Sequence, residues 1–160
     1  MALVRGKVPC DVLFVGDSPG ESEDVLGVPF MGPAGKLLDH MVYNSVPDGV
    51  RCGFANVLGC VPRTDQGGFT TPSDDCIDAC SPRLMELVMM CSPQVIVLLG
   101  ADAHGQRDVI EAELLSYGRT PAFVNLVHPA YILRSNISQQ GLLRQRAEIA
   151  ITVAIEENVK

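Results

Sequence analysis

Four short segments carry residue types that could line a ligand site and take part in chemistry there. The turn 16–20 holds two glycines and a proline around Asp17 and Ser18, and such a turn lets backbone amides approach a ligand. Segment 29–32 places Phe30 between a proline and a glycine. Asn56 interrupts an apolar run, and His128 precedes a proline. These residues offer an aromatic face, an amide, an imidazole and a carboxylate.

Each of these residues alone is also typical of ordinary structure. The turn 16–20 could simply join a strand to a helix, Phe30 could be a core residue, and Asn56 could tie two loops together through its amide. The turn lacks G-x-G-x-x-G and G-x-x-x-x-G-K-[ST], so neither a dinucleotide site nor a P-loop is expected.

The pattern of apolar residues predicts the elements that position these segments. Four continuous apolar runs, at 12–15, 54–58, 95–99 and 123–127, are typical of strands covered on both faces. Helical periods lie between and after them, at 34–42, 77–90 and 140–155. The alternation predicts one domain over 1–160 with an α/β fold of three layers, α/β/α, around a central four-stranded parallel sheet. Residues that follow the strands should meet at one edge of that sheet.

Charge and apolar content limit the partners and the compartment. The formal net charge of −7 argues against avid DNA binding, because phosphate contacts usually need a basic face. Six arginines could still form a local patch: Arg51, Arg63, Arg83, Arg134, Arg144 and Arg146. The apolar runs are too short to span a bilayer, and residues 1–8 lack the apolar stretch of a signal peptide. We therefore expect a cytoplasmic protein without membrane contact.

The order and spacing of the motifs resemble the uracil-DNA glycosylase superfamily, and most closely its family 4. That family shows G-E-x-P-G-x-x-E-D, G-x-P-F-x-G-x-A-G-x-L-L, N-x-x-x-C, P-x-V-I-V-x-L-G and H-P-S-x-L-x-R. The corresponding residues here are 16–24, 27–38, 56–60, 93–100 and 128–134. The resemblance covers about residues 10 to 136 and implies excision of uracil from single- or double-stranded DNA by base flipping.

The resemblance also implies a role for each matching residue. Gly16 and Ser18 belong to the turn that holds the base, and Phe30 would stack on it. Asn56 would read its Watson–Crick edge, and Glu23 would exclude the methyl group of thymine. Catalysis would fall to His128, as donor to the uracil O2, and to Asp17, which would position water or stabilise the cationic sugar. The segment that would contact and wedge the DNA is Ala130, Tyr131, Ile132, Leu133 and Arg134.

Three departures from family 4 change these expectations. Asp17 is one methylene shorter than the family's Glu, and Ala130 replaces the Ser of H-P-S. The iron–sulfur cluster usual in family 4 needs four cysteines, two of them in an N-terminal C-x-x-C that this sequence lacks. We therefore expect no cofactor. If a cluster were present, its ligand candidates would be Cys60, Cys76 and Cys80.

Two other functions fit the same residues. The short Asp17, Ala130 and the acidic charge favour a binding module of glycosylase fold with weak or no cleavage, which would act with a replication or repair protein. A glycosylase for another base, such as hypoxanthine or a modified pyrimidine, is the third candidate. The combination of Phe30, Asn56 and His128 favours uracil excision, because a scaffold has no need of all three.

Overall fold

The computed structural model describes residues 1–160, and five strands form one sheet. The strands are β1 (Arg5–Gly6), β2 (Val12–Gly16), β3 (Cys52–Asn56), β4 (Val95–Leu99) and β5 (Ala122–Leu126). Their order is β1-β3-β2-β4-β5, and β3, β2, β4 and β5 are parallel. The predicted four-stranded parallel sheet is confirmed. The short antiparallel β1, which pairs with β3, was not predicted.

Seven helices join these strands, and the three predicted ones are present with longer bounds. They are α1 (Glu21–Leu26), α2 (Pro33–Ser45), α3 (Asp74–Cys91), α4 (Ala101–Gly105), α5 (Arg107–Ser116), α6 (Pro129–Arg134) and α7 (Ile137–Asn158). Helix α3 begins after Ser73, whose side chain accepts a hydrogen bond from the Cys76 amide. None of the helices is long and apolar enough to cross a membrane.

Alternate residues of the buried strands face opposite sides of the sheet. On β2, Leu13 and Val15 join one apolar cluster that also contains residues of α3 and α5. Val12 and Phe14 join a second cluster, which contains residues of α2 and α7. Helices therefore cover both faces, as the three-layer prediction requires.

The carboxyl ends of the strands are held together by backbone hydrogen bonds beyond the strands themselves. The Val57 amide donates to the Gly16 carbonyl at 2.8 Å, and the Leu58 amide donates to the Asp17 carbonyl at 3.0 Å. The Gly100 amide donates to the Leu126 carbonyl at 3.0 Å. The segments after β2, β3, β4 and β5 thus form one rim with a fixed backbone.

Candidate active site

Three of the predicted site residues meet beside Gly16, the last residue of β2. A Cβ atom built on Gly16 would lie 2.6 Å from Oδ1 of Asn56, 2.7 Å from Cζ of Phe30 and 3.3 Å from Nε2 of His128. A side chain here would displace the amide and the phenyl ring. The absence of a side chain at Gly16 therefore lets an aromatic ring, an amide and an imidazole surround one point.

Phe30 has an unusual backbone that turns its ring inward. Its φ of 59° lies in the left-handed region, which is uncommon for a bulky residue and is often found at functional sites. Gly35, in the first turn of α2, lies so close to the Phe30 carbonyl that a Cβ atom would overlap with it. The ring is buried, at 6.3 Å and 61° from the Phe54 ring and at 6.2 Å and 18° from the His128 ring.

Asn56 is 2% exposed, yet its side-chain amide makes no hydrogen bond within the protein. Its amide atoms are not fully enclosed and open to a cavity. Buried amides normally have partners, so this one is available to a ligand. Arg83 of α3 holds the backbone behind it, because Nη2 donates to the carbonyls of Asn56 at 2.7 Å and Val57 at 2.9 Å.

His128 presents a defined nitrogen to the same point. The Ala130 amide donates to Nδ1 at 3.1 Å, so the neutral ring carries its proton on Nε2, the atom that faces Gly16. Burial lowers the pKa of His128 below its usual value of 6.5, and the charge of Arg134 lowers it further, whereas Glu23 opposes this. His128 is therefore a neutral hydrogen-bond donor at neutral pH.

A cavity of about 310 Å³, here called the central cavity, encloses these groups. Its volume lies at the lower end of the range for small-molecule sites. Glu23 is part of the wall, and its carboxylate accepts hydrogen bonds from the amides of Gly20 and Met31. Glu23 thus ties the turn 16–20 to the loop of Phe30. The central cavity is lined by Ser18, Pro19, Gly20, Glu23, Phe30, Ala34, Asn56, His128 and Ala130.

Asp17 does not line the central cavity. Because successive residues of an extended chain point to opposite sides, the side chain of Asp17 faces away from the meeting point beside Gly16. Its Oδ1 accepts a hydrogen bond from the Ala103 amide at 2.9 Å, at the start of α4. Burial raises the pKa of Asp17, while the amides of Ala103 and Asp102 oppose the shift. In this structure Asp17 anchors α4, and its water-positioning role stays a prediction.

The segment after His128 is a short helix, α6, and not a loop. Ile132 is 1% exposed and packs with Met41 and Ala147, so its predicted contact with DNA is wrong. Helical geometry explains this, since Ile132 occupies the inner face while Tyr131 and Leu133 are exposed on the outer one. Arg134 is also exposed, and Ala130 is part of the cavity wall.

The six arginines do not gather on one face. Arg51 pairs with Asp11 at 2.7 Å, at the amino ends of the strands and thus at the edge opposite the cavity. Arg83 is turned inward behind Asn56, and Arg144 pairs with Glu148 at 3.5 Å. Arg51 and Arg83 therefore do not contribute to a local basic patch of the kind that the sequence left open. Arg83 points inward because backbone carbonyls accept its hydrogen bonds, and Arg51 is held by the Asp11 carboxylate. These partners are far away in the sequence and come close only in the folded chain.

The cysteines do not form a site for an iron–sulfur cluster in this structure. No group of three or more His, Cys, Asp or Glu side chains is arranged to hold a metal ion. All six cysteines are free, with Cys60 and Cys76 exposed and Cys80 half-buried. A cluster usually needs four protein ligands, so the donors of this chain do not fit one. That the protein works without a cofactor stays a prediction.

Sequence reasoning missed four contributors to the site: Arg83 as a support, and Pro19, Gly20 and Ala34 as parts of the cavity wall. Pro19, Gly20 and Ala34 lie within the motifs at 16–24 and 27–38, so the sequence already marked their segments as part of the site. Arg83 stands in an otherwise apolar stripe with Leu84 and Leu87, and an arginine on such a stripe indicates a buried acceptor.

Comparisons with known proteins identify the family of this chain. Residues 5–149 match the family model of the uracil DNA glycosylase superfamily. A type-4 uracil-DNA glycosylase of Thermotoga maritima is 30% identical over 146 residues, which cover 84% of this chain and 72% of that protein. The enzyme of the same name from Sulfurisphaera tokodaii is 38% identical over 97 residues, 60% of this chain. Those residues are 42% of the Sulfurisphaera protein, so the chain spans less than half of that relative's length.

A solved structure supports the fold. The solution NMR structure of a candidate uracil DNA glycosylase from Methanosarcina acetivorans superposes with a TM-score of 0.55 at 15% identity. The match covers 94% of this chain and 98% of that one. At this level of identity the likeness concerns the fold alone.

Proposed function

The chain belongs to the uracil-DNA glycosylase superfamily, and on that premise we propose that it excises uracil from DNA by hydrolysing the N-glycosidic bond. One observation carries the proposal: Phe30, Asn56 and His128 surround a single point beside Gly16 inside the central cavity. A base can reach that point only after it has left the double helix or from a single strand.

Binding of the base follows from the three groups. The ring of Phe30 supplies an apolar face on which a flat base can stack. The free amide of Asn56 supplies one acceptor and two donors, which match the N3–H donor and O4 acceptor of uracil. Cytosine exchanges that donor and acceptor, so it would leave the buried amide unpaired. A site of this kind rejects the wrong partner strongly, because unpaired buried groups are costly.

Bond cleavage requires a donor where negative charge grows. As the bond between N1 and C1′ breaks, its electron pair moves into the base and increases the charge on O2. The Nε2–H of neutral His128 can donate to that oxygen, and such a donor lowers a barrier by about 3 kcal/mol in comparable sites. Water then adds its oxygen to C1′ and releases a proton, which neutralises the anionic base. The products are the free base and an abasic deoxyribose.

Exclusion of thymine falls to the wall near Glu23. Thymine differs from uracil by one methyl group, and a cavity rejects one methyl mainly by steric overlap. Glu23 is held in place by the amides of Gly20 and Met31, so it cannot easily yield. We propose that this fixed carboxylate narrows the cavity beside C5 of the base.

A second candidate is a DNA- or protein-binding module that retains the fold without efficient cleavage. One observation favours it: the Asp17 carboxylate is engaged with the start of α4 and does not reach the cavity wall. On this alternative the chain would hold DNA for a replication or repair partner.

One assay distinguishes the two candidate functions. Purified protein is incubated with single- and double-stranded oligonucleotides that carry uracil, thymine, cytosine or hypoxanthine at one position, and alkali then cleaves any abasic site. Cleavage at uracil alone supports the main proposal. Cleavage at thymine at the same rate would contradict the role of Glu23, and cleavage at hypoxanthine alone would point to another base. Tight binding without any cleavage supports the binding module.

A further inference from the structure

A hairpin beside the central cavity presents an exposed aromatic ring. Arg63 and Phe69 form an isolated antiparallel bridge, which defines residues 62–70 as the Phe69 hairpin. Its backbone is well bonded, because the Thr64 amide donates to the Gly68 carbonyl at 2.7 Å and the Thr70 amide donates to the Pro62 carbonyl at 3.2 Å. The ring of Phe69 is nevertheless 59% exposed. A fixed support with an open aromatic face is the form of a stacking platform.

The Phe69 hairpin adjoins the site of the proposed reaction. A second cavity of about 280 Å³, the side cavity, is lined by Phe69, Val61 and Pro62 from the hairpin side. Its opposite wall is Ser18, Pro19 and Gly20, the same residues that line the central cavity. The turn 16–20 is therefore a wall between two neighbouring cavities.

Arg63 completes the platform. Its guanidinium lies 4.9 Å from the centre of the Phe69 ring and covers one face, while Nη1 donates to the Gly67 carbonyl at 3.2 Å. Its ion pair with Glu21 spans 3.7 Å between exposed ends, and such pairs contribute little and exchange easily. The guanidinium therefore keeps donors for an incoming anion, next to a ring that keeps one free face.

We propose that the Phe69 hairpin is a second nucleotide subsite. When one nucleotide of a strand places its base in the central cavity, Phe69 stacks on the base of the adjacent nucleotide and Arg63 binds the phosphate between them. The occupant is a DNA strand because the side cavity lies directly across the turn 16–20 from the central one and combines an aromatic face with a cation. This inference rests on the proposed function for what fills the central cavity. It also explains how an acidic chain could hold DNA locally.

Affinity for single-stranded oligonucleotides with an abasic-site analogue tests the subsite without any base to cleave. Three oligonucleotides are compared by fluorescence anisotropy: one with both neighbouring bases, and two in which the 5′ or the 3′ neighbour is also abasic. For the wild type, removal of one neighbour should weaken binding about tenfold. Phe69→Ala should bind the complete oligonucleotide about tenfold more weakly and should not respond to that removal, whereas Phe69→Trp should behave as the wild type.

Two controls make the result specific. Tyr43→Ala removes another exposed aromatic ring, in a groove that shares no residue with either cavity, and should bind as the wild type. Arg63→Gln should reduce the slope of log affinity against log salt by about 0.7, the value for one phosphate contact on a single strand. Each variant is first checked for an unchanged melting temperature.

The outcomes separate the subsite from the proposed function. If Phe69→Ala binds every oligonucleotide as the wild type does, or loses affinity equally on all three, the subsite is refuted. In the first case, Phe69 does not contact DNA, and a protein partner becomes the alternative occupant of its exposed face. If the wild type fails to excise uracil but shows the neighbour-dependent effect of Phe69, the proposed function fails and the subsite stands.

Discussion

Substitution of Gly16 by alanine tests the convergence of the three site residues. The new methyl group would lie 2.6 Å from Oδ1 of Asn56, whereas ordinary contacts begin near 3.4 Å, so the amide must move by about 0.8 Å or the backbone must yield. Phe30, at 2.7 Å, must also move. Misplacement of about 1 Å at a reacting centre can cost ~10²-fold in rate. We expect Gly16→Ala to lower the single-turnover rate of uracil excision about 10²-fold, or about 2.7 kcal/mol of barrier.

The assay is single-turnover excision from a single-stranded uracil oligonucleotide, followed by alkaline cleavage. Gly141→Ala is the matched control, since a methyl group there meets nothing within 4 Å and sits in the exposed part of α7. The melting temperature of Gly16→Ala should shift by only a few degrees, because the crowding is local and alanine reduces the entropy of the unfolded chain. A folded Gly16→Ala protein whose rate falls less than threefold would refute the reasoning: the three side chains would then not be held in place around the base.

Three further predictions concern His128 and Arg83. His128→Ala should lower the single-turnover rate by ~10²–10³ while leaving the affinity for abasic-analogue DNA unchanged, and a parallel loss of both would indicate a structural role. By NMR, His128 should titrate below its usual pKa of 6.5. The free energy of unfolding should then fall as the pH drops below about 6.5, because the unfolded chain takes up the proton first, and His128→Gln should remove that part of the pH dependence. Arg83→Met should lower the free energy of unfolding by about 2 kcal/mol in urea titrations and reduce excision, with Arg83→Lys less affected; unchanged excision would exclude a positioning role.

Much of the fold follows from patterns that are local in the sequence. The runs 12–15 and 95–99 lie within β2 and β4 because a continuous apolar run suits a strand covered on both faces. The long helices α2, α3 and α7 were recognisable from their period. Helices as short as α1, α4 and α6 have too few turns for a period to emerge, and β1 has only two residues. Strand β1 and helices α4 and α6 form because the longer elements provide surfaces to pack against. Helix α1 buries no residue, and the Glu23 carboxylate stabilises its start by accepting from the Gly20 amide.

The site was only partly predictable for a related reason. The strand pattern placed the turn 16–20 and His128 at one rim, and the family resemblance added Phe30 and Asn56. The structure brings Phe30, Asn56 and His128 to one point. Spacing does not state which partner a side chain points to, so the direction of Asp17 toward the Ala103 amide could not be read from it. The burial of Ile132 depends on α6 being a helix that packs on α2 and α7. Such directions are set by tertiary contacts.

The short strand β1 covers one side of β3 that would otherwise be the open edge of the sheet. Outer strands expose unpaired amides and carbonyls, which can template the addition of a strand from another molecule. Here Arg5 and Gly6 occupy the free side of β3, and the Lys7 amide donates to the Cys52 carbonyl at 2.9 Å. Arg5 also lies 4.2 Å from the centre of the Phe54 ring and pairs with Asp39, which fixes a charge over an apolar strand. Loss of residues 1–7 would therefore expose unpaired backbone amides and carbonyls along β3. We expect such a truncated protein to lose solubility before it loses catalytic activity.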